Sequence, residues 1–422
     1  MNEEKVGVGI LMHAEGKFRD SVREELRGRF ESYVQCQIDQ FEANDARTCA
    51  LERRRRKSRT IFTEYGVITL RLRKGRQPGS TKWVIPALRF LGLARKQAFS
   101  QSLEFKLCVT ATQTGSYEKA AELAHTWGCT VSPTAIRHTV GTIGGAPQLL
   151  PVTAVCANAA TKDDILMVMM DAWKARHRGE NWGADRRREL PERVHWYDCK
   201  SAVIFKLSGL VQTSANRKAI LAKHVVAKPP DTDPVTFGSA VQHESLRMGM
   251  ATAKKTYVIM DGAVFLWNIF EDRFRLYAIG TLDFYHAAEH LTSLADALFP
   301  DNPLEAKQWV ASICHSLKHT SIRKLFDSLA EAIHSLDNRD ATCREVIERE
   351  ASYFKAHRNH MAYPANAKLG VPIGSGSMES QCSQCQNRFK RTGQFWVKQG
   401  FSALLEIFVR HQNRELISLW AA

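Results

Sequence analysis

The apolar run Ile165-Leu166-Met167-Val168-Met169-Met170 stops at Asp171, and a second run, Tyr257-Val258-Ile259-Met260, stops at Asp261 with Gly262 behind it. Continuous apolar runs this short read as buried strands, which commits this part of the chain to a sheet with helices packed over it. Each run delivers a carboxylate at its C-terminal end, a standard way to set a hard-cation ligand at a sheet edge. A third acid, Glu379, lies in Gly374-Ser375-Gly376-Ser377-Met378-Glu379, just ahead of a strongly basic helix. Two such strands and one helix-borne Glu suit a pair of Mg²⁺ ions about 4 Å apart, the arrangement needed for in-line attack at phosphorus.

The rest of the chain fits a nucleic-acid partner. Its 422 residues carry a net charge of +15 and a pI near 9.4. An excess of that size commonly marks a polyanionic ligand, because each Lys or Arg on a phosphate releases condensed counterions; the alternative is a basic but indifferent surface. The length suggests roughly two to four domains, and 44% apolar residues supply their cores. No window approaches the roughly 20 apolar residues of a membrane span. Met1-Asn2-Glu3-Glu4-Lys5 lacks the layout of a secretory signal, so a cytoplasmic protein is expected. The ten cysteines are scattered, as in a reducing compartment. Cys382 and Cys385 have CxxC spacing but no second ligand pair that would complete a zinc site.

Residues 14–50 read as a helix, with Phe18, Val22, Leu26 and Phe30 at steps of four. The run Arg53, Arg54, Arg55, Arg56, Lys57, Ser58, Arg59 reads as a solvated linker or a phosphate-contacting arm. Val67 to Lys74 alternates like a strand or hairpin with one basic side, and Gly75–Ser80 is a loop by composition. Residues 116–140 carry a helix-turn-helix pattern: Ser116 caps one helix, Gly128 marks the turn, and Ser132-Pro133 opens the next. Arg137 and His138 are the long polar side chains that its second helix offers to a major groove. A generic helical hairpin would look the same.

After a Pro/Ala-rich linker near 146–160 the pattern turns to strands. Asp163–Asp171 is the first, Val194–Tyr197 and Ala202–Leu207 form an antiparallel pair, and a helix at about 235–253 starts with Pro234. The strand ending at Asp261 follows, then Arg275–Ile279 before Asp283. This alternation predicts a mixed sheet in a layered α/β arrangement. Residues 286 to about 360 read as helical, a connection long enough to be a structural unit of its own. Phe401, Leu404, Leu405 and Phe408 form one stripe on a final helix packed on the sheet.

The frame Asp171, then Met260-Asp261-Gly262-Ala263 with Trp267, then Leu282-Asp283-Phe284-Tyr285-His286-Ala287-Ala288-Glu289-His290-Leu291, resembles a bacterial insertion-sequence DDE transposase. The tail Gly374–Glu379 followed by Lys390-Arg391-Thr392-Gly393-Gln394-Phe395-Trp396 strengthens the resemblance, which is nearest the ISKra4-type group and spans about residues 116–420. It implies an RNase H-like core with a mixed five-stranded sheet, interrupted by an all-helical insertion, behind a mainly helical N-terminal DNA-binding region. It also implies Mg²⁺- or Mn²⁺-dependent cleavage of element ends and strand transfer into target DNA, with Asp171, Asp261 and Glu379 as the acidic triad. The zinc-ribbon cysteine pairs of many such transposases are absent from the N-terminal third.

On chemical grounds Asp171 is assigned to bridge the two ions, Asp261 to hold one and Glu379 the other. An Asp at a strand end also serves as a turn former or cap, and a Glu in a first helical turn is favoured by the helix dipole. Asp283 rivals Asp261 for the middle position. Asp261 is preferred because the glycine behind it lets a ligand approach the backbone closely. Asp283 otherwise reads as a helix N-cap or a supporting group, and His286 as a phosphate-positioning or packing residue. Arg388, Lys390 and Arg391 are candidates to clamp phosphates, with Phe395 or Trp396 stacking on a base, although Trp396 fits a core equally. Lys174, Arg176, His177 and Arg178 read as a loop, facing DNA or exposed.

The expected layout is a basic region at 1–110, a helix-turn-helix segment at 111–150, core at 160–290, helical insertion at 291–370 and the Glu-bearing end of the core at 371–422. The expected partners are transposon-end and target DNA and further copies of the chain, in the cytoplasm or nucleoid, with no membrane. An RNase H-like nuclease or junction resolvase, and a catalytically inactive DNA-binding protein, are the alternatives.

Overall fold

The computed structural model describes residues 10–145, 150–184, 193–214 and 217–420. They belong to two compact units, Met1–Ile143 with Leu416–Ala422, and Gly144–Glu415. Met1–Lys5 and the first residues of the linker, 146–149, lie outside the described residues. Among the described residues no helix is long and apolar enough to cross a membrane.

The first unit runs α1 (Ile10–Asn44), α2 (Ala46–Cys49), β1 (Glu52–Thr63), β2 (Gly66–Arg76), β3 (Trp83–Val84), α3 (Ala87–Phe90), α4 (Gln101–Gln113), α5 (Tyr117–Thr126) and α6 (Pro133–Gly144). The stripe expected on α1 begins too early, since Phe18 and Leu26 are exposed. The packed face is further along, where Phe30, Val34, Ile38 and Phe41 meet Ile61, Ile68, Leu70 and Leu72. Burial there is set by where the hairpin lies, which no local period encodes. The arginine run is strand rather than linker: β1 pairs antiparallel with β2, Arg56 opposite Arg73 and Ser58 opposite Arg71. The carboxylates and amide of Glu31, Gln35 and Glu42 accept from the N–H groups of Thr69, Arg71 and Arg73 at 2.9, 2.8 and 2.5 Å, so α1 covers an edge that would otherwise invite pairing.

Two short helices flank a turn in the segment expected to be helix-turn-helix. Ser116 Oγ accepts from Lys119 N at 3.2 Å and Ser132 Oγ from Ala135 N at 3.2 Å, which starts α5 and α6. Gly128 takes φ +88° in the turn, a conformation that favours glycine.

The second unit contains β4 (Ile165–Arg178), β5 (Val194–Lys206), β6 (Leu210–Ser214), β7 (Arg217–Ile220), β8 (His224–Ala227), α7 (Pro234–Arg247), β9 (Lys255–Met260), α8 (Val264–Arg273), β10 (Ile279–Leu282), α9 (Phe284–Leu298), α10 (Pro303–His319), α11 (Arg323–His334), α12 (Ala341–Ala356), α13 (Tyr363–Lys368), α14 (Gly376–Phe389) and α15 (Lys398–Gln412). The five-stranded sheet has the order β10-β9-β4-β5-β8. Its β4–β5 and β5–β8 pairs are antiparallel, and β4–β9 and β9–β10 are parallel. Three antiparallel strands followed by two parallel ones, with the first strand central, is the RNase H-like arrangement. On one face Leu166, Val168, Met170, Val258 and Met260 pack under α7, α8 and the helices that follow. On the other, Trp173 meets Phe389 of α14 and Phe401 of α15.

Four sequence expectations change here. β4 does not end at Asp171 but continues to Arg178, so Lys174–Arg178 is strand rather than loop, and His177 is buried. The two segments expected to pair with each other are one strand, β5, paired with β4 along its length. The last strand is Ile279–Leu282 rather than Arg275–Ile279, and Leu276 and Tyr277 are exposed. The helices from α9 onward do not enclose a core of their own: Leu291, Leu294, Ile313, Leu317, Leu325, Ile347 and Phe354 belong to the same apolar cluster as Val168 and Val258. Amphipathic helices bury their stripes on the nearest apolar surface, and the sheet provides it.

Candidate active site

Strand register brings the first two acids together. Met170 is the partner of Met260 across the parallel β4–β9 pair. The next residues, Asp171 and Asp261, are therefore level on neighbouring strands, their backbones about 5 Å apart. Alternation puts both side chains on the face of Met169 and Ile259, which is the face that α14 covers. There the Cys382 thiol donates to Asp171 Oδ2 at 3.8 Å. Glu379, exposed in the first turn of α14, sits three residues before Cys382, and residues so spaced share a helix face about 5–6 Å apart. Asp171 and Asp261 thus lie side by side at the end of the central strands, and Glu379 is one helical turn from the Cys382 thiol that meets Asp171.

Each acid is held differently. Asp171 Oδ1 accepts from its neighbour Ala172 N at 2.6 Å. Asp261 Oδ1 accepts from Ala263 N at 2.9 Å, and Trp267 Nε1 donates to the Asp261 carbonyl at 2.8 Å, tying α8 to the strand end. Burial pushes the Asp171 carboxyl up to about 6, with the charge of Asp261 adding to the rise, while the Ala172 N–H, His286 and the Cys382 thiol work against it. Among the described residues no Lys or Arg forms an ion pair with any of the three acids. Three oxygen donors without a counter-cation, in a chain of charge +15, fit a hard divalent ion.

Asp283 is placed otherwise. It is fully buried, its Oδ1 accepts from Tyr285 N at 2.6 Å and His286 N at 3.3 Å, and its Oδ2 from Ser375 N at 2.6 Å. Both oxygens cap backbone, so Asp283 starts α9 and pins the turn that leads to α14 and Glu379. His286 stands in the first turn of α9, its Nδ1 3.4 Å from Glu289 Oε2, and close enough to Asp171 to favour that group's charged form.

Gly262 does not open the strand end to a ligand. The Tyr353 ring fills the space instead, since a Cβ at Gly262 would lie 2.2 Å from Tyr353 Cε2. The buried Tyr353 hydroxyl has no hydrogen-bond partner among the described residues; burial, with the nearby charge of Asp261 adding to it, holds the phenol well above its usual range. Nothing in the sequence of the insertion marks Tyr353, because its relation to Gly262 is purely spatial.

The candidate DNA contacts divide. Arg137 and His138 are exposed on α6. Of the arginine run, Arg56 pairs with Asp39 at 3.0 Å, Arg54 Nε donates to Leu51 O at 2.7 Å, Arg55 lies 4.8 Å over the Trp83 ring, and Arg53 is exposed with φ 47°. A neighbouring groove is lined by Lys57, Arg59, Lys74, Lys82, Arg89 and Arg95, with no acid among the described residues of its lining. Partial burial and the cations Arg55, Lys57 and Arg95 hold Lys74 below its ordinary range. No local pattern announces this groove, because its cations come from separate segments. In the second unit Arg388 is buried, 5.5 Å from the Trp396 and Phe389 rings, and does not present a phosphate clamp. Arg391 is exposed and Lys390 reaches over Trp196 at 5.3 Å. Arg176 lies between Trp196 and Phe395, at 5.6 and 5.0 Å. Trp396 is half-buried, packs on Phe401 and donates from Nε1 to Phe389 O at 2.8 Å, so these contacts hold its ring.

An uncharacterised protein family, UPF0236, has a model that matches residues 19–180, a span that includes Asp171 but neither Asp261 nor Glu379. Among solved structures the chain is similar to the Drosophila P element transposase strand transfer complex, at 11% identity and a TM-score of 0.23, over 80% of this chain and 83% of that one. No curated protein matches the chain.

The electrostatics of the cluster lead to a stability test. The Asp171 carboxyl is held above its unfolded value of about 3.9, so its charge costs stability above about pH 6, and the cost vanishes below the unfolded value. Asp171→Asn is therefore expected to stabilise the metal-free protein at pH 8 by up to about 3 kcal/mol, a gain that disappears near pH 4. Thermal unfolding at the two pH values measures it; an unchanged or lower midpoint at pH 8 would count against a crowded acidic site.

Proposed function

We propose that this protein is a DDE-type transposase that cleaves DNA at element ends and transfers the freed strands into target DNA. One observation carries the reading: Asp171 and Asp261 lie level at the end of the central strands of an RNase H-like sheet, with Glu379 a turn away on the helix whose Cys382 meets Asp171, and none of the three is ion-paired among the described residues. Asp171, Asp261 and Glu379 would hold Mg²⁺ or Mn²⁺, which when bound activates a water or 3′-hydroxyl and stabilises the leaving oxygen. His286 borders the acids and would orient a phosphate oxygen. Asp283 fixes the helices that carry His286 and Glu379. No covalent protein–DNA intermediate is required. DNA would be held through the basic groove, Arg137 and His138, Lys390 and Arg391, with further copies of the chain assembling on paired ends in the nucleoid.

The test searches the DNA on either side of the coding region for short inverted repeats and offers labelled DNA bearing those ends to the protein with Mg²⁺ or Mn²⁺. Cleaved ends that reappear joined to a second DNA support the transposase reading. Cleavage without joining would assign a nuclease or resolvase, and binding without cleavage an inactive DNA-binding protein.

The groove makes a separate prediction. Lys57→Glu with Lys74→Glu and Arg95→Glu is expected to weaken DNA binding at least about tenfold and to reduce the salt-dependence slope by roughly 3, close to one for each phosphate left without its cation. Titrations at several salt concentrations read both; an unaltered slope would show that the groove does not meet phosphate.

A further inference from the structure

Away from the triad, the second unit assembles a different donor set. Cys156 lies in the segment before β4, His224 opens the sheet's edge strand β8, and Glu415 follows α15. Cys156 Sγ is 3.8 Å from His224 Nδ1 and 3.9 Å from Glu415 Oε1, and the three donor atoms lie within 4.8 Å of one another. Tetrahedral zinc, with bonds of about 2.0–2.3 Å to S, N and O donors, separates its ligands by roughly 3.3–3.7 Å. The two cysteine pairs need to contract by only a few tenths of an ångström, and the widest pair by little more than an ångström at most.

Its surroundings are those of a ligand set. His224 Nε2 is 2.8 Å from Glu244 Oε2 and 3.2 Å from Asn413 Nδ2. A carboxylate on the far ring nitrogen takes the N–H there and leaves the Nδ1 lone pair facing the sulfur, as behind many metal-bound histidines. Arg247 pairs with Glu244 at 2.6 Å and with Glu415, which orients that carboxylate. The Arg247 carbonyl accepts from Cys156 N at 3.0 Å, and Arg247 Nε donates to Ala154 O at 2.9 Å, so the cysteine backbone is fixed too. Arg410 pairs with Glu406 at 2.8 Å beside Glu415. With a thiolate, two carboxylates and one guanidinium at the centre, a dipositive ion brings the group to neutrality.

We infer that Cys156, His224 and Glu415 form a zinc site, with solvent at the fourth position because Cys156 and Glu415 are only half-buried. A soft sulfur donor beside imidazole selects zinc over the hard ions suited to the triad. Bound there, the ion clasps the segment ahead of β4 and the residue after α15 to the sheet edge. Binding releases the Cys156 proton to solvent, and no other bond changes.

Cobalt(II) titration of the full-length protein, freed of metal, tests this. One equivalent is expected to give a thiolate-to-cobalt charge-transfer band that zinc abolishes, that Cys156→Ser and His224→Gln lose, and that Cys382→Ser keeps. Zinc is also expected to protect Cys156 of the wild type from alkylation, mapped by mass spectrometry, which needs no variant to fold. No band in the wild type, a band that survives Cys156→Ser or vanishes in Cys382→Ser, or a Cys156 alkylated equally with and without zinc, would overturn the site and leave an ion-pair network around Arg247.

Discussion

Asp171→Asn, Asp261→Asn and Glu379→Gln are each expected to lower Mg²⁺-dependent cleavage at least about a thousand-fold, some 4 kcal/mol of barrier. Each replaces a charged oxygen donor with an amide of nearly the same shape, so the fold has no reason to fail. Asp171 and Asp261 sit level at the β4–β9 pair, and losing either charge halves the anionic field that the two strands present. Glu379 contributes from α14 instead and is exposed, so its variant should leave stability nearly unchanged while activity falls. Activity and stability thus move in opposite directions at Asp171, where loss of cleavage accompanies a higher unfolding midpoint. Cleavage assays at saturating Mg²⁺ on correctly folded variants decide the matter. Near wild-type rates in all three would remove the triad as the catalytic centre.

How visible these acids are in the sequence depends on the local pattern around each. The runs ending at Asp171 and Asp261 are legible because a central strand buried on both faces admits only apolar residues. Beyond Asp171 the pattern changes to alternation: Trp173, Ala175 and His177 are buried while Lys174 and Arg178 are exposed. That period of two is present in the sequence, but the charges make it look like a loop. Asp198 and Lys200 likewise split β5 into two apparent strands, although Cys199 and Ser201, which alternate with them, are buried. β10 is only four residues long, too short to outweigh the exposed Leu276 and Tyr277 beside it. What local pattern cannot supply is proximity. Neither the approach of Tyr353 to Gly262 nor the meeting of Cys156, His224 and Glu415 leaves any spacing to read.

Asp283 provides the second large effect, and its sign separates a backbone pin from a metal ligand. Its two oxygens receive three backbone N–H groups, two in the first turn of α9 and one at Ser375. Asp283→Ala leaves all three unanswered in a fully buried place. A lost cap costs about 0.5–2 kcal/mol and a buried hydrogen bond to a charged acceptor about 1.5–3, so about 3 kcal/mol of destabilisation is expected, or roughly 6–12 °C in midpoint for a unit of this size. Cleavage should fall as well, because His286 and the helix of Glu379 lose their common anchor. Asp283→Asn keeps one acceptor and should fall between the two. If Asp283 were instead a ligand crowded among like charges, Asp283→Asn would raise the midpoint of the metal-free protein, as expected for Asp171→Asn, and would raise the Mg²⁺ concentration needed for half-maximal cleavage. Thermal unfolding of the two Asn variants side by side, without metal, tells these apart: the pin requires opposite shifts, and parallel upward shifts would restore Asp283 as the middle acid.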